Sequence, residues 1–359
     1  MRRSHGRAPR SALAAAGGVA IVLATFPTTA VFACTTICLG GNDRPVVAYN
    51  YDFHPSEGLV LVNKRGTIKR SRIEPGGMTW TSRYGSVTFN QFGRDNPTTG
   101  MNEKGLMVSL MWLDGTEYPP PDSRPATGIL EWIQYNLDTH ASVAEFAANA
   151  ESVRPMSATP IHYLFADAGG DAAVVEFLAG RLVLHRGATL PVRALANSTY
   201  ADSVRAFDAA KAAGAVPASG GSLDRFVRGA MLARNAGDPI ARGFSVLASV
   251  ASPGYTRWSI VYDLSSGAIH FRTDTNPAIR SLSVARLDFS CRAPVLMLDV
   301  TAPGSGDITA RLVGYTRAAN RALLEASFRQ TPFLVGSSDV EKAVAAAHPD
   351  ATSSCAVPD

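Results

Sequence analysis

The 359-residue chain lacks most of the local signatures from which chemistry is usually read. It has no G-x-S-x-G elbow, no phosphate-cradling P-loop, no H-E-x-x-H pair and no dinucleotide fingerprint, which sets aside the enzyme classes built on those motifs. Its seven histidines are scattered, so none is singled out as a ligand or a base. Cysteine is scarce, at four residues, and no histidine spacing accompanies it, so neither a metal nor a cofactor is expected. There is no block of lysine and arginine. The formal charge of +4 rests on 34 basic and 30 acidic residues, and four of the basic ones sit in the opening "MRRSHGRAPR". Beyond that segment the charges balance, which argues against nucleic acid or an anionic membrane as partner. No segment repeats at a fixed period, and low complexity is confined to short turns such as "YPPPDSRP" and "ASGGS".

The first thirty-three residues read as a secretory signal peptide. A basic opening is followed by an apolar run from Ala12 to Phe26, too short and too rich in Ala and Gly for a membrane span, and Val31 and Ala33 suit a signal peptidase. Cleavage after Ala33 would make Cys34 the first residue of a periplasmic or secreted protein, with no membrane association after processing. The same "VFAC" half-resembles a lipobox, in which case Cys34 would carry lipid and the protein would be an anchored binding protein. Phe32 beside the cysteine and the lack of a leucine three residues before it weigh against that alternative.

Residues 34–359 are expected to form one α+β domain. "TTICLGGNDRPVVAYNYDF" reads as a β-hairpin starting at Cys34, and further strands are predicted at Leu59 to Val62, Ser86 to Phe92 and Leu106 to Leu113. Helical patterns follow in "GILEWIQYNLD" and in "SVAEFAANAESV", the latter opening on a Ser cap with Glu three residues on. "HYLFADAGGDAAVVEFLAGRLVLHRG" predicts three strands. "YADSVRAFDAAKAAG" and "SLDRFVRGAMLARN" predict helices, "YTRWSIVYDLSSGAIHFRT" a second hairpin, and "ITARLVGYTRAANRALLEASFRQ" an amphipathic helix. Clustered strands and helices favour a layered α+β fold over a doubly wound one. Cys34 and Cys38 lie in one predicted strand, too far apart to bridge along an extended chain, which leaves Cys291 and Cys355 as the plausible disulfide.

A cysteine at a new N-terminus needs no histidine, because its own α-amino group, with a reference pKa near 8, can take the thiol proton. Such a site requires a carboxylate to orient the amine, donors for the oxyanion and a cation near the thiolate. "CTTICL", "AYNYDF", "GMNEKGL", "LANSTY" and "DRFVR" occur in this order from Cys34 to about Asp288. Together they resemble the blocks of the choloylglycine hydrolase family, the penicillin V acylases and bile salt hydrolases among the N-terminal nucleophile hydrolases.

The resemblance implies a four-layer αββα sandwich, often a homo-oligomer (tetramer or dimer), and hydrolysis of a linear amide in a small molecule through a thioester. It implies Cys34 as nucleophile, Asp52 as the acid holding its amine, Asn197 in the oxyanion hole, Arg225 beside the thiol, and the Trp112 backbone N–H as a second oxyanion donor. Tyr49 stands where the family usually has arginine, so the thiolate would lean on Arg225 and the ammonium group. Trp112 resembles the Gram-negative branch, which acts on penicillin V or acyl homoserine lactones and handles bile salts poorly. Met111, Trp112, Tyr49 and Tyr51 are expected to line an apolar acyl pocket. Three alternatives stand beside this reading: bile salt hydrolysis, acyl transfer to an amine in place of water, and purely local roles for Asp52, Asn197 and Arg225 as turn cap, Asx-turn and surface ion pair.

Overall fold

The computed structural model describes residues 33–41, 43–73 and 77–356. The signal-peptide expectation therefore lies, except for Ala33, outside the described residues. The hairpin predicted at Cys34 is the centre of the fold. Thr35–Leu39 pairs antiparallel with Val46–Asp52 in the register Thr36 to Tyr49 and Ile37 to Ala48. Its turn depends on Gly40, which has φ of +77°, and a Cβ there would lie 2.1 Å from the Arg44 carbonyl oxygen. All seven residues of Val46–Asp52 are buried, because Thr256–Asp263 pairs along its other edge and layers cover both faces.

These strands belong to a seven-stranded sheet, flanked on one side by Ala194–Leu195 and continued on the other through Ala268–Thr273 and Arg280–Ser283 to Gly306–Asp307. A nine-stranded sheet carries Met107–Trp112 near its middle, between Ile161–Ala166 and Pro97–Asn102. The two sheets face each other through Thr36 against Ser109 (2.9 Å between hydroxyls), Thr99 against Tyr262 (3.0 Å), and the ring of Phe89 against those of Tyr262 and Phe271. Helices α1 (Ile129–Thr139) and α2 (Val143–Asn149) cover the outer face of the nine-stranded sheet, packing Trp132, Leu137 and Phe146 onto Val108, Phe165 and Val175. Helix α3 (Tyr200–Ala213) packs against α4 (Ser222–Leu232), and α4 and α5 (Pro239–Ser249) back the seven-stranded sheet. Helix, sheet, sheet and helix give the four-layer αββα order that the resemblance implied.

Among the helices, three differ from expectation. The segment 308–330 is not one helix: a short turn at Thr309–Arg311 and a strand at Val313–Gly314 precede α6 (Arg317–Gln330), which starts where the Thr316 hydroxyl accepts the Ala319 N–H at 3.1 Å. Gly314 and a capping threonine interrupt a pattern that is otherwise apolar at helical spacing. Helix α5, capped by Asp238 and opened by Pro239, and helix α7 (Asp339–Thr352), capped reciprocally by Ser338 and Glu341, were not anticipated. Their signals lay in their caps, since their apolar faces are short.

Cys291 and Cys355 form a disulfide with Cα atoms 5.8 Å apart, closing a sequence separation of 64 residues. Cys355 also pairs with Thr67 in a small edge sheet. Replacing both cysteines by alanine should cost about 2–5 kcal/mol of stability. A denaturation midpoint equal to that of the wild type would show that the crosslink constrains nothing the remaining contacts do not.

Candidate active site

Cys34 stands at the start of its strand, one residue before the pairing of Thr35 with Asn50, and so comes alongside Asp52. The Asp52 backbone N–H donates to the Cys34 sulfur at 3.4 Å, and the thiol reaches the Asp52 carbonyl at 3.6 Å. The Tyr49 hydroxyl lies 3.9 Å from the sulfur but donates to the Leu110 carbonyl at 3.0 Å. A phenol has one proton, so the shorter contact holds it and the sulfur faces the same group at longer range. Burial pushes the Cys34 thiol up to about 12, and the nearby Asp52 charge adds to this; the Asp52 N–H, Tyr49 and Arg225 pull the other way. With Ala33 still attached, the thiol is therefore held neutral.

The Asp52 side chain is fully buried, and neither carboxylate oxygen has a hydrogen-bond partner. Burial raises its pKa from 3.8 to about 7, offset in part by Thr256, Arg225 and Ser252. The Thr256 hydroxyl accepts the Ser252 N–H at 2.8 Å and keeps its own proton, lying near the carboxylate without a hydrogen bond to it. A buried acid without a donor is costly, and a ligand or reacting group is the usual reason for one. Here the adjoining residue is Cys34, whose thiol feels the Asp52 charge and whose backbone nitrogen is an amide while Ala33 precedes it.

Arg225, on the first turn of α4, is 2% exposed. Its Nε donates to the Gly220 carbonyl at 3.0 Å, and its Nη1 donates to the Thr35 hydroxyl at 2.6 Å, to the Cys34 carbonyl at 3.0 Å and to the Ala33 carbonyl. Nη2 donates to Asn197 Oδ1 at 3.0 Å. Arg225 is thus not a surface ion pair, and it grips the backbone around the cysteine in addition to lying near the sulfur. Guanidinium is donor-only, so the contact fixes which end of the Asn197 amide faces which way. Asn197 Nδ2 must point toward the Trp112 carbonyl, to which it donates at 2.8 Å, and its second N–H remains for another acceptor. The Asn197 backbone N–H is held by the Ser222 hydroxyl at 2.8 Å.

A cavity of about 280 Å³ opens at Cys34 and Asp52. Tyr51 lines it, with its ring stacked between Phe53 (5.8 Å) and Trp258 (4.6 Å) and its hydroxyl donating to Gln91. Trp112 lines it too, with its indole N–H on Asp114 at 2.7 Å. Tyr49 does not; it stands behind the sulfur. Met111 also departs from expectation. It points into the core between the sheets, accepting the Thr36 hydroxyl at sulfur (3.1 Å), while its neighbours Leu110 and Trp112 face the cavity. Alternation along the strand allows one parity to face the cavity, and the register with Thr36 decides that it is the other one.

Sequence reasoning missed Phe53, Phe92, Ile129, Phe333 and Leu334 in the cavity wall. Phe53 directly follows Asp52 and was within reach of a local argument. The others come from distant segments and carry no local signal. Among the described residues no cluster of His, Cys, Asp and Glu could hold a metal.

Fold and site together define a hydrolase acting on linear amides. The chain belongs to the linear amide C–N hydrolases of the choloylglycine hydrolase family, whose model matches residues 34–297. It is 26% identical over 332 residues, 76% of this chain and 87% of the other, to a penicillin V acylase of Pectobacterium atrosepticum. The structure of a penicillin V acylase from Agrobacterium tumefaciens superposes with a TM-score of 0.71 at 28% identity, covering 79% of this chain and 98% of that one. A conjugated bile acid hydrolase from Clostridium perfringens shares the fold at a TM-score of 0.64 and 16% identity, over 76% of this chain and 98% of that one.

The raised Asp52 pKa has a consequence for stability in the chain that retains Ala33. Between about pH 4 and pH 7 the unfolded chain has released this proton while the folded chain keeps it, so the folded state loses stability as pH rises through that window. Asp52→Asn should therefore gain stability relative to the wild type from about pH 4 to about pH 7, as read by denaturation at several pH values. A difference that stays flat across this range would show that the carboxylate is solvated or paired after all.

Proposed function

We propose that the chain is an exported acylase in which removal of residues 1–33 frees Cys34 as an N-terminal thiol nucleophile. The observation that carries this reading is the buried Asp52 carboxylate, without a hydrogen-bond partner and close enough to act on the Cys34 thiol, with Arg225 anchoring the Ala33 and Cys34 carbonyls. Once Ala33 leaves, the new ammonium supplies Asp52 with a donor and places a positive charge next to the sulfur, which lowers the thiol pKa that burial had raised. Loss of a proton from the amine leaves a base within reach of the thiol.

The thiol proton passes to the amine as sulfur attacks the amide carbon. The oxyanion is held by the second N–H of Asn197 and the backbone N–H of Trp112. Collapse expels the leaving amine, which takes the proton from the α-ammonium, and leaves a thioester on Cys34. Water, deprotonated by the same α-amine, then adds to the thioester and releases the carboxylic acid and the thiol.

The substrate class follows from the cavity. At about 280 Å³ it is at the small end of ligand pockets, and aromatic and aliphatic side chains dominate its wall. A single-ring or linear acyl group fits such a space better than four fused rings. Phenoxyacetyl amides such as penicillin V, or fatty N-acyl homoserine lactones, are therefore the proposed substrates ahead of conjugated bile salts, in line with the relatives described as penicillin V acylases.

Mass and N-terminal sequencing of the exported protein should give an unmodified Cys34 as first residue; a lipid-sized increment would support the anchored alternative. Cys34→Ser should keep the fold and lose nearly all turnover, and a chain with one residue left before Cys34 should be equally inactive. Activity in either variant would overturn the nucleophile. Asn197→Ala should cost about 2.7–4 kcal/mol of transition-state stabilisation, read as kcat/KM. In a panel of the three substrate classes at equal concentration, fastest cleavage of conjugated bile salts would refute the cavity argument.

A further inference from the structure

The family match ends at residue 297, yet the wall of the cavity does not. Leu324 and Phe328 on α6, and Phe333 and Leu334 in the turn that follows, face the same space as Cys34. These four residues belong to a helical hairpin of α6 and α7 that is attached to the family body at several points. Within the hairpin, Leu324 packs with Ala345 and Ala346, and Asn320 Nδ2 donates to the Ala346 carbonyl at 3.0 Å. Toward the body, Asn320 Oδ1 accepts the Arg94 N–H at 2.8 Å, Asp350 pairs with Arg94 at 3.1 Å, and the Ser327 hydroxyl donates to the Gln91 carbonyl at 2.6 Å. The disulfide joins Cys355, after α7, to Cys291 inside the family match.

Gln91 makes this attachment relevant to the site. Its side chain accepts the Tyr51 hydroxyl and donates to the Pro55 carbonyl at 2.7 Å, so the residue that receives Ser327 also orients an aromatic wall beside Cys34. At the other side of the cavity the Phe333 ring meets Trp112, with centroids 6.2 Å apart and planes tilted by 45°. Phe333 is 50% exposed, so its ring lines the cavity while part of it stays open to solvent. One aromatic of this pair thus comes from the family body and the other from the appended hairpin.

We infer that the C-terminal hairpin is the acyl-selectivity element of the enzyme, and that Phe333, with Trp112, grips an aromatic or extended apolar acyl group at the cavity mouth. The inference rests on the proposed acylase reading of Cys34. It assigns the choice of acyl group to a segment outside the family match, while the attacking sulfur and its oxyanion donors stay within it.

The test uses the mature full-length protein and two alkylating agents with the same leaving group, iodoacetamide and 2-iodo-N-phenylacetamide. Their rates at Cys34 are followed by peptide mass so that Cys38 does not contribute. Phe333→Ala should lower the ratio of the aryl to the small reagent by about 2- to 12-fold, the equivalent of losing one aromatic contact. The iodoacetamide rate itself should stay close to that of the wild type. Phe333→Leu, which keeps bulk without a ring, should lie between the two. Val335→Ala, 62% exposed and outside the cavity wall, should leave the ratio unchanged. In turnover, Phe333→Ala should raise KM for a phenoxyacetyl amide and leave that for an acetyl amide unmoved. An unchanged ratio in Phe333→Ala, or an equal fall in Val335→Ala, overturns the inference. Alkylation needs no turnover, so the two readings fail separately. A shifted ratio without hydrolysis of any amide would remove the acylase reading, and hydrolysis with unchanged ratio and KM would remove the role of the hairpin.

Discussion

The Arg225 guanidinium is the contact on which the rest of the site depends. It is buried, carries only donors, and among the described residues meets no carboxylate at hydrogen-bond distance; its N–H groups go to carbonyls at residues 33, 34 and 220, to the Thr35 hydroxyl and to Asn197. A single side chain thereby fixes the backbone on both sides of Cys34 and the orientation of the amide opposite it. Asn197 passes the constraint to the Trp112 carbonyl on the other sheet. A lysine would supply the charge but not the fork, and the two sheets would lose this geometric link.

Charge placement follows the same logic. The site holds two acids, the Cys34 thiol and the Asp52 carboxyl, and burial moves both toward their neutral forms. Arg225 opposes both shifts, and although burial lowers its own pKa the guanidinium keeps its charge. At position 49, where the resemblance implied an arginine, Tyr49 brings a hydroxyl and no charge. The electrostatic balance of the site is consequently open to a single added positive charge, and the Cys34 nitrogen is where peptide cleavage would create one.

What the sequence disclosed, and what it hid, divides along chain distance. The hairpin, Asp52 and the apolar strands were legible because the relevant residues are neighbours, and a glycine pair marks a turn that needs a positive φ at Gly40. Asn197 and Arg225 were legible as ordered blocks, but that Arg225 would hold backbone carbonyls was not, since the partners lie about 190 residues away. Met111 was misread because "SLMWL" is apolar on both faces of its strand: when both sides of a sheet are covered, alternation no longer says which parity meets the ligand. The cavity wall at Phe333 could not be read at all, because it is created only when α6 docks on the body.

The Tyr49 hydroxyl joins a strand of one sheet to the Leu110 carbonyl of the other, and it has the Cys34 sulfur as a second, more distant acceptor. While sulfur keeps its proton, the carbonyl is the better acceptor and the phenol works as a strut between the sheets. A charged sulfur would compete for that one proton, so ionisation of the cysteine would slacken a tie across the sandwich and a neutral sulfur would tighten it again. The chemical state of Cys34 is in this way written into the mechanical coupling of the two sheets.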